Sequence, residues 1–212
     1  MQLEHDLATF GPIPLRDGRM RRSDQRAAAA PAGGLDQADD HALVQAFQGG
    51  CREAFDLIVE RHRRTVYQLC FRFVGNHEDA ADLAQDVFVR AFKGLAGFKG
   101  DSSIRTWLYR VSVNVSLNRV TSRRPVTEPI DAVECVDAHA VNPLEAIEHA
   151  QQAVRVRQAI RRLPPKQRAT LVLRVYQDLS YDEIAKVLGG SVGAVKANFF
   201  HALGNLRRLV RP

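Results

Sequence analysis

Ser180-Tyr181-Asp182-Glu183-Ile184-Ala185-Lys186-Val187-Leu188-Gly189-Gly190-Ser191-Val192-Gly193-Ala194-Val195-Lys196 reads as two helices and a turn. Ser180 with Glu183 three residues on forms a capping box, which opens a short helix from Tyr181 to Leu188 with Ile184, Ala185 and Leu188 turned inward. Gly189-Gly190 supplies the turn, and Ser191 caps a second helix running from Val192 to Leu209. A short helix, a glycine turn and a second helix form a helix-turn-helix, which sets its second helix in the major groove with N-terminal residues at the base edges. Ser191, Gly193, Ala194, Lys196, Ala197 and Asn198 are then the candidate positions for contact with DNA. The competing reading is a helical hairpin with a solvated face, but it leaves unexplained the 12 basic against 3 acidic residues between 151 and 212.

Upstream, Asn142-Pro143-Leu144-Glu145 gives a cap, a first-turn proline and a capping-box glutamate. The helix it starts continues through Ile147, Val154 and Ile160 to Leu163. Pro164-Pro165 breaks it, and another helix runs from Lys166 through Leu171, Val172 and Val175 to about Gln177. Between Pro125 and Val141 lie two prolines, four carboxylates and no strong period, the marks of an extended acidic linker.

A second helical block covers 39–124. Leu43, Val44 and Phe47 lead to the stop Gly49-Gly50. Phe55, Ile58, Val59, His62, Val66, Leu69 and Phe73 then recur at three and four until Gly75-Asn76. Asn76 caps the next helix, whose apolar face is Ala80, Leu83, Ala84, Val87, Phe88, Ala91 and Leu95. Asp79, Asp82, Gln85 and Asp86 occupy its other face, an acidic ridge that repels DNA and is either a solvated surface or a dock for a basic protein partner. The loop Gly97 to Ser103 ends in capping residues and leads into a helix with Ile104, Trp107, Leu108, Val111 and Val115 inward and Arg110, Asn114, Asn118 and Arg119 along another face. Phe98, Trp107 and Tyr109 interleave with Lys99, Arg105, Arg110 and Arg119, a mixture that suits unpaired bases, although Trp107 and Phe98 fit the core better than a stacking platform.

No segment alternates with period two, so the fold class is all-α: two small helical domains joined by a flexible linker. The boundaries are a disordered tail over 1–38, a helical bundle over 39–124, the acidic linker over 125–141 and the helix-turn-helix domain over 142–212. The net charge of +6 is unevenly spread, with 13 basic and 8 acidic residues over 41–124 and 6 acidic with no basic residues over 125–150. Two basic blocks around an acidic strip indicate two polyanion-facing modules. No apolar run approaches the roughly 18 residues of a membrane span, and the N-terminus does not read as a secretory signal, so the expected location is cytoplasmic, without membrane insertion. The 3 cysteines, Cys51, Cys70 and Cys135, lack CxxC spacing. Cys51 and Cys70 read as small buried hydrophobes and Cys135 as exposed; no metal site or cofactor is expected. No nucleophile-base pairing, carboxylate dyad or phosphate loop has local context, so no catalytic residues and no enzyme activity are expected.

These residues also carry a resemblance. Asp82-Leu83-Ala84-Gln85-Asp86-Val87-Phe88, Phe98 to Ser103, and Thr106-Trp107-Leu108-Tyr109-Arg110-Val111 with Asn114 resemble region 2 of the extracytoplasmic-function (ECF) sigma factors. Leu163-Pro164-Pro165-Lys166-Gln167-Arg168, Leu179 to Ala185 and Ser191 to Lys196 resemble region 4 of that family. The resemblance implies a dissociable subunit of bacterial RNA polymerase that recognises promoters and starts transcription. It implies docking of Asp82, Gln85 and Asp86, with Asp79 beside them, on the polymerase clamp coiled coil. Phe98, Lys99, Asp101, Ser102, Arg110, Asn114, Asn118 and Arg119 would handle the minus-ten element, where a base is extruded from the stack. Ser191, Val192, Gly193, Lys196, Asn198 and His201 would meet the minus-35 element, while the same region touches the polymerase flap. The implied partners are core RNA polymerase, promoter DNA and an anti-sigma factor. Ala197, Asn198 and His201 depart from the family's usual residues, which implies unusual minus-35 readout. The alternatives are a stand-alone helix-turn-helix regulator of duplex DNA, which has no need of the first block, and an RNA-binding or protein-interaction module, which leaves the recognition helix idle.

Overall fold

The computed structural model describes residues 34–122 and 143–210. Most of the tail, all of the acidic linker, Cys135 and the Asn142 cap lie outside the described residues. Within them a one-turn 3-10 helix at Leu35–Gln37 precedes eight α-helices, and no strand occurs. The helices are α1 (Asp40–Gln48), α2 (Glu53–Val74), α3 (His77–Leu95), α4 (Ile104–Ser122), α5 (Pro143–Arg162), α6 (Pro165–Tyr176), α7 (Tyr181–Leu188) and α8 (Val192–Val210). The all-α reading holds, and each start signal on the described residues lies within a residue or two of a helix end.

The chain packs as two units that divide inside α2, between Arg64 and Thr65. In the first, Asp39 caps α1 by accepting the Ala42 N–H at 2.7 Å. Leu43, Val44, Ala54, Phe55 and Ile58 are buried, and the Phe47 and Phe55 rings lie 5.6 Å apart. His62 Nε2 sits 2.9 Å from Asp40 Oδ2, so the buried imidazole of α2 is anchored to the first turn of α1. Cys51 is only half-buried, with its thiol donating to Glu53 at 3.3 Å, which corrects the expectation of a buried hydrophobe. It stands in the turn between α1 and α2.

In the second unit Cys70 is fully buried, and burial pushes its thiol up to about 12, so it stays protonated at physiological pH. Asn76 Oδ1 accepts the Asp79 N–H at 2.7 Å and starts α3. Ala80, Leu83, Ala84, Val87, Phe88, Ala91 and Leu95 are all buried, the full apolar face read from the periodicity, and α3 packs along α4. Ser103 caps α4 by accepting the Thr106 N–H at 3.1 Å.

The helix-turn-helix is built as its sequence demands. Ser180 Oγ accepts the Glu183 N–H at 3.2 Å, and a Glu183 carboxylate oxygen accepts the Ser180 N–H at 2.8 Å. Gly189 closes α7 in the left-handed region at φ 65°, where a side chain would be strained. Ser191 Oγ then accepts the Ala194 N–H at 3.2 Å and starts α8. Helix α6 carries Leu171, Val172 and Leu173 inward, but Val175, expected inward, is 55% exposed because the inward stripe passes to Tyr176 at the helix end.

One core cluster of the second unit takes side chains from both blocks of the sequence. Leu69 and Phe73 of α2 and Tyr109 and Val113 of α4 are buried with Ile160, Leu163, Leu173 and Ile184. Tyr109, grouped by the sequence with base-stacking aromatics, is therefore a core residue, and burial raises its hydroxyl above the usual range.

Candidate nucleic-acid interface

Helix α8 presents one face of its N-terminal half outward. Ser191, Gly193, Ala194, Lys196, Ala197 and His201 are exposed, whereas Val195 and Ala202 are buried against the core. Small residues around one cation let the helix backbone approach a groove floor closely, which is the geometry a recognition helix needs. Val192 departs from this set: its side chain is half-buried and packs on the core cluster, since it lies three residues before Val195 on the same stripe. Asn198 is half-buried as well. Lys196 Nζ stands 5.8 Å from the centre of the Tyr181 ring, and that ring contacts Phe199 edge-on, so α7 steadies the recognition helix through one aromatic. Phe200, which the sequence reading passes over, is 75% exposed and meets the His201 ring edge-on. Its position four residues after Lys196 was the available signal.

On α4 Arg105, Arg110, Asn114, Asn118 and Thr121 are exposed. Arg110, Asn114 and Asn118 recur at four, so they form a continuous ridge with a cation at one end and two amides along it. The loop before α4 adds exposed Lys99 and Asp101 and half-buried Ser102. Phe98 and Trp107 are half-buried against each other, ring centres 5.4 Å apart. Trp107 also lies on α3, where a Cβ at Gly94 would stand 3.2 Å from its ring, so the glycine makes the seat for the indole.

Two candidate residues prove to have a different place. Asp79 is not on the exposed ridge but buried, and its carboxylate accepts from Arg119 Nη2 at 3.0 Å and from Asn76 Nδ2 at 2.7 Å. Arg119, half-buried, is turned toward that carboxylate rather than along the Arg110–Asn118 ridge. The reason is helical phase: Asp79 precedes the buried Ala80 and Leu83 stripe by one position and rolls into the α4 contact. Asp82, Gln85 and Asp86 are exposed and form the acidic ridge by themselves. Among the described residues no group of His, Cys, Asp or Glu side chains could hold a metal ion, and no helix is long and apolar enough to cross a membrane.

An all-helical chain with a doubly capped helix-turn-helix and a second polar ridge on a separate helix has the architecture of a DNA-binding transcription protein. Residues 58–126 match sigma-70 region 2, and residues 153–206 match sigma-70 region 4. The RNA polymerase sigma-H factor of Pseudomonas aeruginosa is 34% identical over 187 residues, spanning 84% of this chain and 97% of its own. The ECF RNA polymerase sigma-E factor of Escherichia coli K12 is 33% identical over 186 residues, with the same 84% and 97% coverage. The solved structure of CnrH in complex with the cytosolic domain of CnrY is similar at a TM-score of 0.60 and 27% identity, covering 81% of this chain and 96% of that one. The chain belongs to the ECF sigma factors of RNA polymerase.

Proposed function

We infer that the chain binds core RNA polymerase, recognises a two-element promoter and promotes strand separation at its downstream element. The observation that carries this reading is the presence on one chain of two different polar surfaces, the groove-fitting start of α8 and the amide-rich ridge of α4. A stand-alone regulator of duplex DNA has no use for the second.

The module over 142–212 would place α8 in the minus-35 major groove. Lys196 supplies the cation there, while Ser191, Gly193 and the exposed Ala197 admit the helix closely; Val192 supports the helix from within. The module over 39–124 would take the minus-ten element. Arg110 and Lys99 hold phosphates, and Asn114, Asn118, Asp101 and Ser102 offer hydrogen-bond donors and acceptors to a base drawn out of the stack. Extrusion costs a few kcal/mol, so preformed polar partners are what the step requires. Asp82, Gln85 and Asp86 provide the acidic face for a basic polymerase surface, the clamp coiled coil, and the carboxy-terminal module reaches the flap. Joining two weak contacts on one chain raises their combined affinity through effective concentration.

The chain acts by binding, not as an enzyme, and works in the cytoplasm. An anti-sigma factor is a further partner, a reading supported by CnrH having been solved with the cytosolic domain of a second protein. The test is transcription by core polymerase with and without the purified chain on a pool of genomic promoters. Initiation should occur at start sites preceded by a shared pair of elements. Tight footprinting without polymerase and no stimulation with it would instead support the stand-alone regulator.

A further inference from the structure

Lys196 is the only lysine or arginine between Ser191 and Leu206, so the outward face of α8 carries one full cation before Arg207. Its ammonium lies 5.8 Å from the centre of the Tyr181 ring, within the roughly 6 Å over which a ring attracts a cation. Phe199, three residues on and on the same side of α8, meets that ring edge-on at 5.9 Å. Tyr181 is half-buried and packs on the core cluster. It opens α7 directly after Ser180, so the reciprocal bonds of the capping box fix the backbone that carries it. The ring is engaged from α6 as well: the Arg174 guanidinium lies 5.2 Å from its centre, while Arg174 Nη1 donates to the Leu179 carbonyl at 2.8 Å. Helices α6, α7 and α8 thus meet at one aromatic side chain, and of the four residues at that meeting only Lys196 is exposed.

We propose that Tyr181 is a positioning residue for the upstream promoter contact: its ring holds the Lys196 ammonium over one base pair of the major groove, and this aim, rather than the charge alone, supplies the base preference there. The inference rests on the two-element reading above. A lysine that swings freely at a groove finds phosphates, which are alike at every step and give affinity without sequence. A lysine held in one place can donate to O6 and N7 of guanine, a pair of acceptors that no other base presents in the major groove.

The local chemistry makes the ring the means of holding it. A lysine side chain is long and rich in rotamers, so a single aim requires a partner. Gly193, Ala194 and Ala197 beside it carry no polar side-chain atom, and the Tyr181 ring is the partner the structure gives it. A ring restrains the ammonium without neutralising it, whereas a carboxylate in the same place would cancel the charge that draws it to DNA.

The experiment has two arms, both on the full-length chain. In the free wild-type protein the methylene protons of Lys196 should resonate upfield of those of Lys186, which is exposed on α7, because the Tyr181 ring current reaches the first and not the second. In the second arm the chain with core polymerase selects from a promoter library randomised at the upstream element. Wild type should prefer guanine at one position, and Lys196→Met should erase that preference. Tyr181→Leu should lower it about two- to fivefold at the same position alone, while Tyr181→Phe, which keeps the ring, should retain it. On a Lys196→Met background Tyr181→Leu should change nothing further. The salt dependence of binding to non-specific duplex should be equal in wild type and Tyr181→Leu, since the cations are the same. An unshifted Lys196 in the wild type would overturn the proposal whatever the variants do to the fold. A preference that survives Tyr181→Leu would do so too, as would a loss spread over every position or a loss with Tyr181→Phe, which would give the role to the phenolic hydroxyl. A wild-type holoenzyme with no upstream base preference would overturn the two-element reading and the proposal with it; each failure of the proposal alone leaves that wild-type preference intact.

Discussion

Arg119 Nη2 donates to Asp79 Oδ1 at 3.0 Å and joins the last turn of α4 to the first turn of α3. The Asp79 side chain is 11% exposed and that of Arg119 38%. Removing the arginine leaves a mostly buried carboxylate with Asn76 as a remaining partner, while removing the aspartate leaves an arginine that water still reaches. Each loss costs less than the 3–5 kcal/mol of a fully buried pair; Arg119→Ala should lower stability by about 2 kcal/mol and Asp79→Ala by about 1–2 kcal/mol. The double variant should cost less than their sum, because both single changes break the same bond. Urea denaturation of the four proteins checks this, and strict additivity would show that the pair contributes nothing.

Asp86→Arg acts on an exposed position one turn past Asp82. Stability should stay within about 0.5 kcal/mol of wild type. Affinity for core polymerase should fall about tenfold, equivalent to roughly 1.4 kcal/mol. Charge reversal at a solvent-accessible site is screened by salt, so the deficit should shrink as salt rises. Titration against labelled polymerase at two ionic strengths measures it, and unchanged affinity at low salt would refute the docking role of the acidic ridge.

Asn114→Ala removes one exposed amide from the middle of the α4 ridge and disturbs no packing. If that amide holds an extruded base through two hydrogen bonds, about 1–3 kcal/mol is lost, a fall of ten- to a hundredfold in open complexes. Duplex binding through α8 should be unaltered. Permanganate reactivity of unpaired thymines reports the first quantity and a footprint the second; undiminished reactivity would take the base-capture role from Asn114.

The helices were legible because their ends are written in local chemistry: Asn76 before Asp79, Ser180 before Glu183 and Gly189 in the left-handed turn all act within a few residues. The apolar stripe of α3 was legible for the same reason, since burial against any neighbour imposes one period. What periodicity cannot say is which neighbour. Tyr109, Val113 and Leu117 obey the helical repeat, but their cover comes from α6 and α7, far along the chain. Asp79 was misplaced because a polar residue at the edge of a buried stripe looks the same in sequence whether it faces water or a partner such as Arg119, 40 positions away. Arg168 hid for a similar reason: a buried guanidinium bonded to carbonyls leaves no mark in the sequence around it.

The capping box of α7 makes the recognition unit sensitive to acid. Glu183 lies below the usual carboxylate range, first because the Ser180 N–H donates to its carboxylate and next because of the Ser180 hydroxyl. A carboxyl depressed in the folded state contributes stability above its unfolded value, near about 4.3, and loses that contribution as pH falls through the lower folded value. The start of α7, and with it the support that Tyr181 gives to Lys196 and Phe199, should therefore loosen below about pH 4. Glu183→Gln can still accept the Ser180 N–H but cannot titrate, so it separates the bond from the charge. Ser180→Ala removes the acceptor of the Glu183 N–H and should cost about 1 kcal/mol at neutral pH. Urea stability of wild type and Glu183→Gln from pH 7 to 3 should differ by a constant amount above pH about 5 and converge, or cross, below about 4. Curves that stay parallel throughout would show that the Glu183 charge adds nothing to the folded state.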